Sequence, residues 1–316
     1  MRLGMSLASG NRPLSAFLDQ ISHHEEAGLD TVWCSQLFGI DALTVFALAG
    51  ARTTRISFGT AIIPTYSRHP LQLASAALTT QAATGNRLTL GIGSSHRALV
   101  TDALGLDYQR PAAYLREYLS VLPGLLRGER LSHRGELLNV DTTGTFGPPQ
   151  VVGAEAPPVL VGTMFPISLK IAGTFADGIV TWLVGPRALA DEVIPTVRAA
   201  AAAAGRPQPR VVAGIPAAVC ASADAAGHRD LINRRLAGFT ALPVYQQVLA
   251  REQVTEPADL AAVGDEEAVA ARLAAYAEVG VDEVHGICFG DDATLFRTAE
   301  FFGDRARANA RTASPV

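Results

Sequence analysis

Short β-type apolar runs alternate with longer segments of helical apolar spacing along most of this chain. The runs fall at residues 3–7, 31–34, 56–63, 88–93, 159–162, 178–182, 211–220 and 284–289, each of strand length and bounded by turn-forming residues. Between the first two, Leu14, Phe17, Leu18 and Ile21 recur at helical spacing, which predicts a helix from near Pro13 to a glycine cap at Gly28. Further helices are predicted at 41–51, from Pro70, at 110–126, 167–175, 186–204 and 266–279, Pro70 being suited to a first turn. Two stretches interrupt the alternation: 128–158, rich in Gly and Pro and a candidate for a hairpin, and 225–265, mostly helical. Eight alternating βα units with two insertions predict a (β/α)8 TIM barrel, an α/β fold whose chemistry sits at the C-terminal ends of the strands.

Composition changes this picture little. With 48% hydrophobic and 18% charged residues among 316, the chain must bury a large core, which excludes disorder. The length alone allows two domains or one elaborated barrel. The resumption of βα units after each insertion favours a single barrel domain over 1–316.

A formal charge of −4 without a Lys/Arg-rich run argues against a nucleic-acid partner. All 26 basic residues but Lys170 are arginine, a skew expected of a GC-rich genome. Cys34, Cys220 and Cys288 lie far apart and show no zinc-ligand or disulfide spacing, so a reducing, cytoplasmic setting is expected and no metal. The N-terminal residues lack the apolar run of a signal peptide, and no later segment reaches the ~18 apolar residues of a membrane span.

Candidate chemistry therefore belongs just after each strand. The second is followed by Cys34-Ser35-Gln36-Leu37-Phe38-Gly39, the third by Pro64-Thr65-Tyr66-Ser67-Arg68-His69-Pro70, the fourth by Gly93-Ser94-Ser95-His96-Arg97. Gly91-Ile92-Gly93 starts like a dinucleotide fingerprint, but His96 stands where the third glycine belongs, and no acidic residue follows at the required distance.

The blocks FGTAIIPTYSRHP and GNRLTLGIGSSH, followed by PPVLVG, AGTFADGIVTW and CFGD, occur in this order over nearly the whole chain. They resemble the bacterial luciferase-like superfamily, in particular its actinobacterial branch of oxidoreductases dependent on the deazaflavin coenzyme F420. The resemblance implies hydride transfer between F420 and a small organic substrate such as an activated alkene, imine or alcohol. An FMN-dependent monooxygenase on the same fold is the alternative, and a barrel that binds the coenzyme without turnover is a third reading. Homodimers are common in such relatives. The GC-rich composition favours F420.

The same resemblance implies a cis non-prolyl peptide supporting the cofactor's central ring, which by position is Ala61–Ile62. Small residues Gly4, Ser6 and Ala61 would leave room for the flat ring, and Gln36 and Thr60 would hydrogen-bond its polar edge. Gly93, Ser94, Ser95, Gly162, Thr163 and Met164 stand at turns whose free N–H groups suit a phosphorylated tail, with Arg68, His69 and Arg97 nearby in sequence. His96 is the candidate proton donor or acceptor, against an alternative role in tail binding or helix capping. Trp182 and Tyr66 are candidate walls of the substrate pocket.

Departures from the family pattern carry information too. Thr163-Met164-Phe165-Pro166 puts a bulky Phe where relatives often have the glycine that lets a backbone approach phosphate. Sugar-phosphate dehydrogenases of the family have an Asp-His pair after the second strand and a glutamate after the fourth. Here those positions read Gln36-Leu37 and His96, so sugar-phosphate oxidation is not expected. His285 is expected inside the barrel with its hydrogen bonds satisfied, and His23-His24-Glu25-Glu26 on a solvated helix face.

Overall fold

The computed structural model describes residues 1–8 and 10–313. Strands β1 (Arg2–Ser6) and β2 (Thr31–Cys34) flank α1 (Leu14–Ala27), and Gly28 closes that helix in the left-handed conformation. Next come α2 (Ala42–Gly50), β3 (Ser57–Thr60), β4 (Ile63–Pro64), α3 (Pro70–Thr84) and β5 (Leu88–Gly93). After α4 (Pro111–Leu126) the insertion forms an antiparallel hairpin of β6 (Ser132–Arg134) and β7 (Asn139–Asp141). Alternation resumes with β8 (Val159–Gly162), α5 (Pro166–Phe175), β9 (Gly178–Trp182), α6 (Pro186–Ala188), α7 (Ile194–Ala203) and β10 (Arg210–Val219). The chain ends with α8 (Ala225–Thr240), α9 (Pro243–Glu252), β11 (Ala262–Gly264), α10 (Glu266–Glu278), β12 (Glu283–Ile287) and α11 (Asp292–Ala313).

One sheet follows the order β11-β10-β12-β1-β2-β3-β5-β8-β9, with β10 also pairing β9. This closed path of eight βα units is the TIM barrel expected, with β4 and β11 as extra short strands. Two compact units divide the chain. One comprises Met1–Trp33, Val180–Pro195 and Arg210–Val316; the other comprises Cys34–Ile179 and Thr196–Pro209.

Three features depart from the sequence reading. The apolar run 56–63 is two strands, because the ladder breaks at Ala61–Ile62, where the peptide is cis. Helix α11 was not anticipated, although Leu295, Ala299, Phe302 and Ala306 form its buried stripe at helical spacing. The segment 266–279 is helical as expected, but β11, three residues long and separated from it by one residue, adds a parallel strand to β10.

The histidine pair of α1 corrects an expectation. His24 is fully buried, its Nε2 3.1 Å from Gln20 Nε2, while His23 stacks edge-on against Phe296 at 4.5 Å. This face of α1 packs inward, because α11 covers it; it is not a solvated face. Among the described residues no group of three His, Cys, Asp or Glu is placed to hold a metal, and no helix is long and apolar enough to cross a membrane.

Burial, with His23 as a like charge beside it, drives the His24 pKa down to about 3, and burial alone does the same for His285. An unfolded histidine titrates near 6.5. Below that pH the unfolded chain takes up protons that the folded chain refuses, so stability is full above about 6.5 and falls toward pH 3. Each histidine contributes a slope of at most about 1.4 kcal/mol per pH unit. Urea unfolding at pH 7, 6 and 5 should show this loss, and His24→Gln should remove about half of the slope.

Candidate active site

In the second unit the chain turns sharply where β3 ends. Thr60 is fully buried, and its hydroxyl both donates to Gly91 O and accepts from Gly91 N, each at 2.8 Å. A side chain at Gly91 would stand 1.9 Å from Thr60 O, so only glycine lets the two strands approach this closely. The following peptide, Ala61–Ile62, is held on both sides: Ala61 N donates to Cys34 O, Gln36 N donates to Ile62 O, and Ser35 Oγ donates to Ala61 O at 2.7 Å. Ala61 and Ile62 thus form a shelf whose backbone has little freedom to shift.

Ile62 explains two other glycines. A Cβ at Gly162 would lie 2.6 Å from Ile62 Cγ2, and one at Gly93 would lie 3.2 Å from Ile62 Cδ1. The ends of β5 and β8 are therefore small because Ile62 fills the space over them.

Beyond the shelf the chain brings together four tyrosines. Tyr66 stacks on Tyr114 with ring centroids 4.5 Å apart and lies 5.1 Å from Tyr108; Tyr114 lies 6.0 Å from Tyr118. Tyr108 donates to Ser95 O at 2.9 Å, Tyr118 donates to Arg68 O at 2.9 Å, and the Arg97 guanidinium sits 5.1 Å over the Tyr108 ring. The Tyr66 hydroxyl and the neighbouring Thr65 hydroxyl are buried and lack a hydrogen-bond partner among the described residues. Burial pushes the Tyr66 pKa up to about 12, so it stays a protonated donor.

A cavity of about 240 Å³ opens beside this cluster, lined by Gln36, Leu37, Phe38, Pro64, Ser67, Arg68, Leu99 and Leu104. Asp41 caps α2 through Thr44 N at 2.9 Å and also forms an ion pair with Arg68. Against the opposing effect of burial, the Thr44 hydrogen bonds and the Arg68 charge hold its carboxyl below the usual range.

Most of the residues singled out in the sequence fall within this unit. Ser94 and Ser95 follow β5, Ser95 in the left-handed region at φ 62°. His96 is exposed, accepts from Val100 N, and has its pKa lowered by desolvation. Thr163 and Met164 are buried after β8, but Thr163 Oγ1 is 2.5 Å from Ser168 Oγ and accepts from Phe165 N, so it serves the start of α5. The Gln36 amide is likewise committed to its own loop, accepting from Ala42 N at 2.8 Å and donating to Leu37 O at 3.0 Å. Asp41, Thr65, Tyr108, Tyr114, Leu99 and Leu104 were not singled out in the sequence; the tyrosine run 108–118 beside the strand-end loop was the available signal.

Ser6 and Trp182 belong to the first unit. Ser6 Oγ is 2.9 Å from His285 Nδ1, and both residues are buried. His285 stacks on Trp33 at 5.1 Å, and its Nε2 is buried without a partner among the described residues, beside Gly214. One ring nitrogen is therefore satisfied, as expected for a histidine inside a barrel, and the other is not. Trp182 is half-buried at the end of β9.

Residues 1–283 match the sequence pattern of the luciferase-like monooxygenases. The chain is 29% identical over 220 residues to the F420-dependent glucose-6-phosphate dehydrogenase of Nakamurella multipartita, covering 65% of this chain and 63% of that one. Among solved structures it resembles the coenzyme F420-dependent tetrahydromethanopterin reductase of Methanopyrus kandleri, with a TM-score of 0.82 and 20% identity over 98% of this chain and 99% of that one. It also resembles a type II Baeyer–Villiger monooxygenase of Pseudomonas putida in complex with FMN, with a TM-score of 0.75 and 17% identity over 97% of each chain. These two likenesses show a shared fold. The chain spans 57%, 62% and 63% of the length of three of the curated relatives it matches.

Proposed function

The chain belongs to the luciferase-like monooxygenase family, and on that premise we propose that it is an oxidoreductase moving a hydride between coenzyme F420 and a small organic substrate. The observation that supports F420 is that curated relatives at 26–30% identity are named for it. The residues fit such a group: the shelf at Ala61 and Ile62 is held by hydrogen bonds on both sides, and two buried hydroxyls close to it in sequence, Thr65 and Tyr66, lack partners among the described residues. When bound, the deazaflavin supplies or accepts a hydride; it is poor at one-electron oxygen chemistry.

The chain's own part is to bind, orient and exclude water. Ser35 and the Gln36 backbone fix the shelf, so Ala61 and Ile62 would hold the coenzyme's ring against a backbone that does not shift. Thr60 and Gln36 act at one remove, Thr60 by locking β3 to β5 and Gln36 by holding its loop to α2. Ser94 and Ser95 at the end of β5 are assigned to the phosphorylated tail, with Gly162, Thr163 and Met164 shaping the neighbouring turn. The Tyr108 and Tyr114 rings pack around Tyr66 and shield it from water. His96, whose pKa is lowered by desolvation, is the residue we assign to proton exchange with the substrate.

Titration of the purified protein with oxidised F420 and separately with FMN tests this reading. F420 is expected to bind at least about tenfold more tightly. Tight FMN binding without F420 binding would overturn it in favour of an FMN-dependent monooxygenase, which should then consume oxygen with a flavin reductase.

Tyr66→Phe gives a sharper outcome. Deleting an unpaired buried hydroxyl should leave the urea midpoint unchanged or slightly higher. If the hydroxyl meets the coenzyme, F420 affinity should fall about three- to tenfold, the worth of one hydrogen bond. An unchanged affinity would remove Tyr66 from the binding site.

A further inference from the structure

The cavity between the 36–38 loop, residues 64–68 and Leu99 and Leu104 is lined by polar groups that are each already engaged in part. Of its polar lining groups, the Gln36 amide accepts from Ala42 N and donates to Leu37 O, and the Ser67 hydroxyl donates to Pro64 O at 2.9 Å. Among the described residues Arg68 alone brings a charge to the lining, and that guanidinium is paired with the Asp41 carboxylate. The rest of the wall is apolar, and Leu37 and Phe38 are 59% and 67% exposed, a large amount of oily surface for a short loop. At about 240 Å³ the cavity lies below the usual range of drug-sized sites, about 300–1,000 Å³.

We propose that this cavity is the substrate subsite, that it takes a small uncharged, mainly apolar molecule, and that Asp41 sets this preference by neutralising Arg68. The inference rests on the oxidoreductase reading above, because only that reading makes the cavity beside the shelf a substrate site. An anionic substrate would meet a net-neutral ion pair and apolar carbons, and would lose its hydration without a counter-charge. A neutral molecule loses little on entry and covers Leu37 and Phe38. Asp41 touches neither the cavity nor the shelf, so its effect is one of charge setting.

Asp41 also caps α2, which makes asparagine the informative replacement, because it preserves the cap while removing the charge. Cyclohexanone and cyclohexanecarboxylate, one ring with and without charge, serve as probes, and saturation-transfer NMR on the protein with and without F420 reads their binding. Wild type should bind the ketone at least about tenfold more tightly than the carboxylate. Asp41→Asn should raise carboxylate affinity about tenfold, the worth of one charge-assisted hydrogen bond, and leave ketone affinity within about twofold. Leu99→Glu should weaken the ketone about tenfold, with a thermal midpoint measured alongside to show that the variant is folded.

Equal or tighter binding of the carboxylate by wild type, no binding of either probe, or no carboxylate gain in a folded Asp41→Asn protein would each overturn the proposal. Absence of F420 binding with the probe preference intact would overturn the coenzyme reading and leave standing only the cavity's preference for a neutral ligand and the part of Asp41 in it.

Discussion

Glu283→Ala should destabilise the protein by about 3–5 kcal/mol, the range for breaking a buried ion pair by removing one partner. Glu283 is wholly buried at the start of β12, where it accepts from Trp33 Nε1 at 2.7 Å, pairs with Arg210, and lies 3.6 Å from Arg2 Nε. Strand alternation puts His285 on the same face as Glu283. The Trp33 ring serves both, stacking on the imidazole and donating to the carboxylate. Removing the carboxylate takes the acceptor from the indole N–H and the ion-pair partner from Arg210, while Arg2 keeps its bonds to Asp30 O and Thr31 Oγ1. Glu283→Gln retains an acceptor for Trp33 and should lose about half as much. Guanidinium unfolding with tryptophan fluorescence reads both variants, and a loss below about 1 kcal/mol for Glu283→Ala would show that the network contributes little.

The second large effect is expected at Gly91→Ala. The added methyl would stand 1.9 Å from Thr60 O, and that atom is backbone, so no rotamer change relieves the contact. Strands β3 and β5 must separate, which breaks both hydrogen bonds between the Thr60 hydroxyl and Gly91. The stability loss should reach the upper end of the overpacking range, about 3 kcal/mol. Because the shelf follows Thr60 directly, F420 affinity should fall by more than about tenfold in whatever fraction remains folded, a fraction that circular dichroism reports independently. Full affinity with reduced stability would separate strand spacing from shelf geometry and count against the site assignment.

The alternating apolar runs made the barrel legible because each strand carries its own local signature: residues 31–34, 88–93, 159–162 and 178–182 are strands with the bounds the pattern predicts. The break at Ala61–Ile62 left no mark in hydropathy, since the apolar run continues through it; only the family resemblance pointed there. Burial of His24 was hidden for a different reason. The helix that covers it is near the other end of the chain, and a one-dimensional pattern around residues 23–26 reads as polar.

The site was legible in outline and obscure in its connections. Strand-end loops identified Tyr66, Ser95 and His96, but the pairing of Asp41 with Arg68 spans 27 positions and depends on how two loops fold toward each other. Nor does sequence say that the Gln36 amide is spent on α2 or that the Thr60 hydroxyl is spent on Gly91. Residue type indicates what a group is able to bond; only the fold decides what it has already bonded.

The bulk of Ile62 over Gly93 and Gly162 bears on how this site can diverge in evolution. Three positions from three different strand ends share one small volume, so a methyl gained at 93 or 162 has to be given up at 62. Homologous chains should therefore change these positions as a set, a larger residue at 162 accompanying a smaller one at 62. A lineage that changes one alone must pass through a poorly packed intermediate.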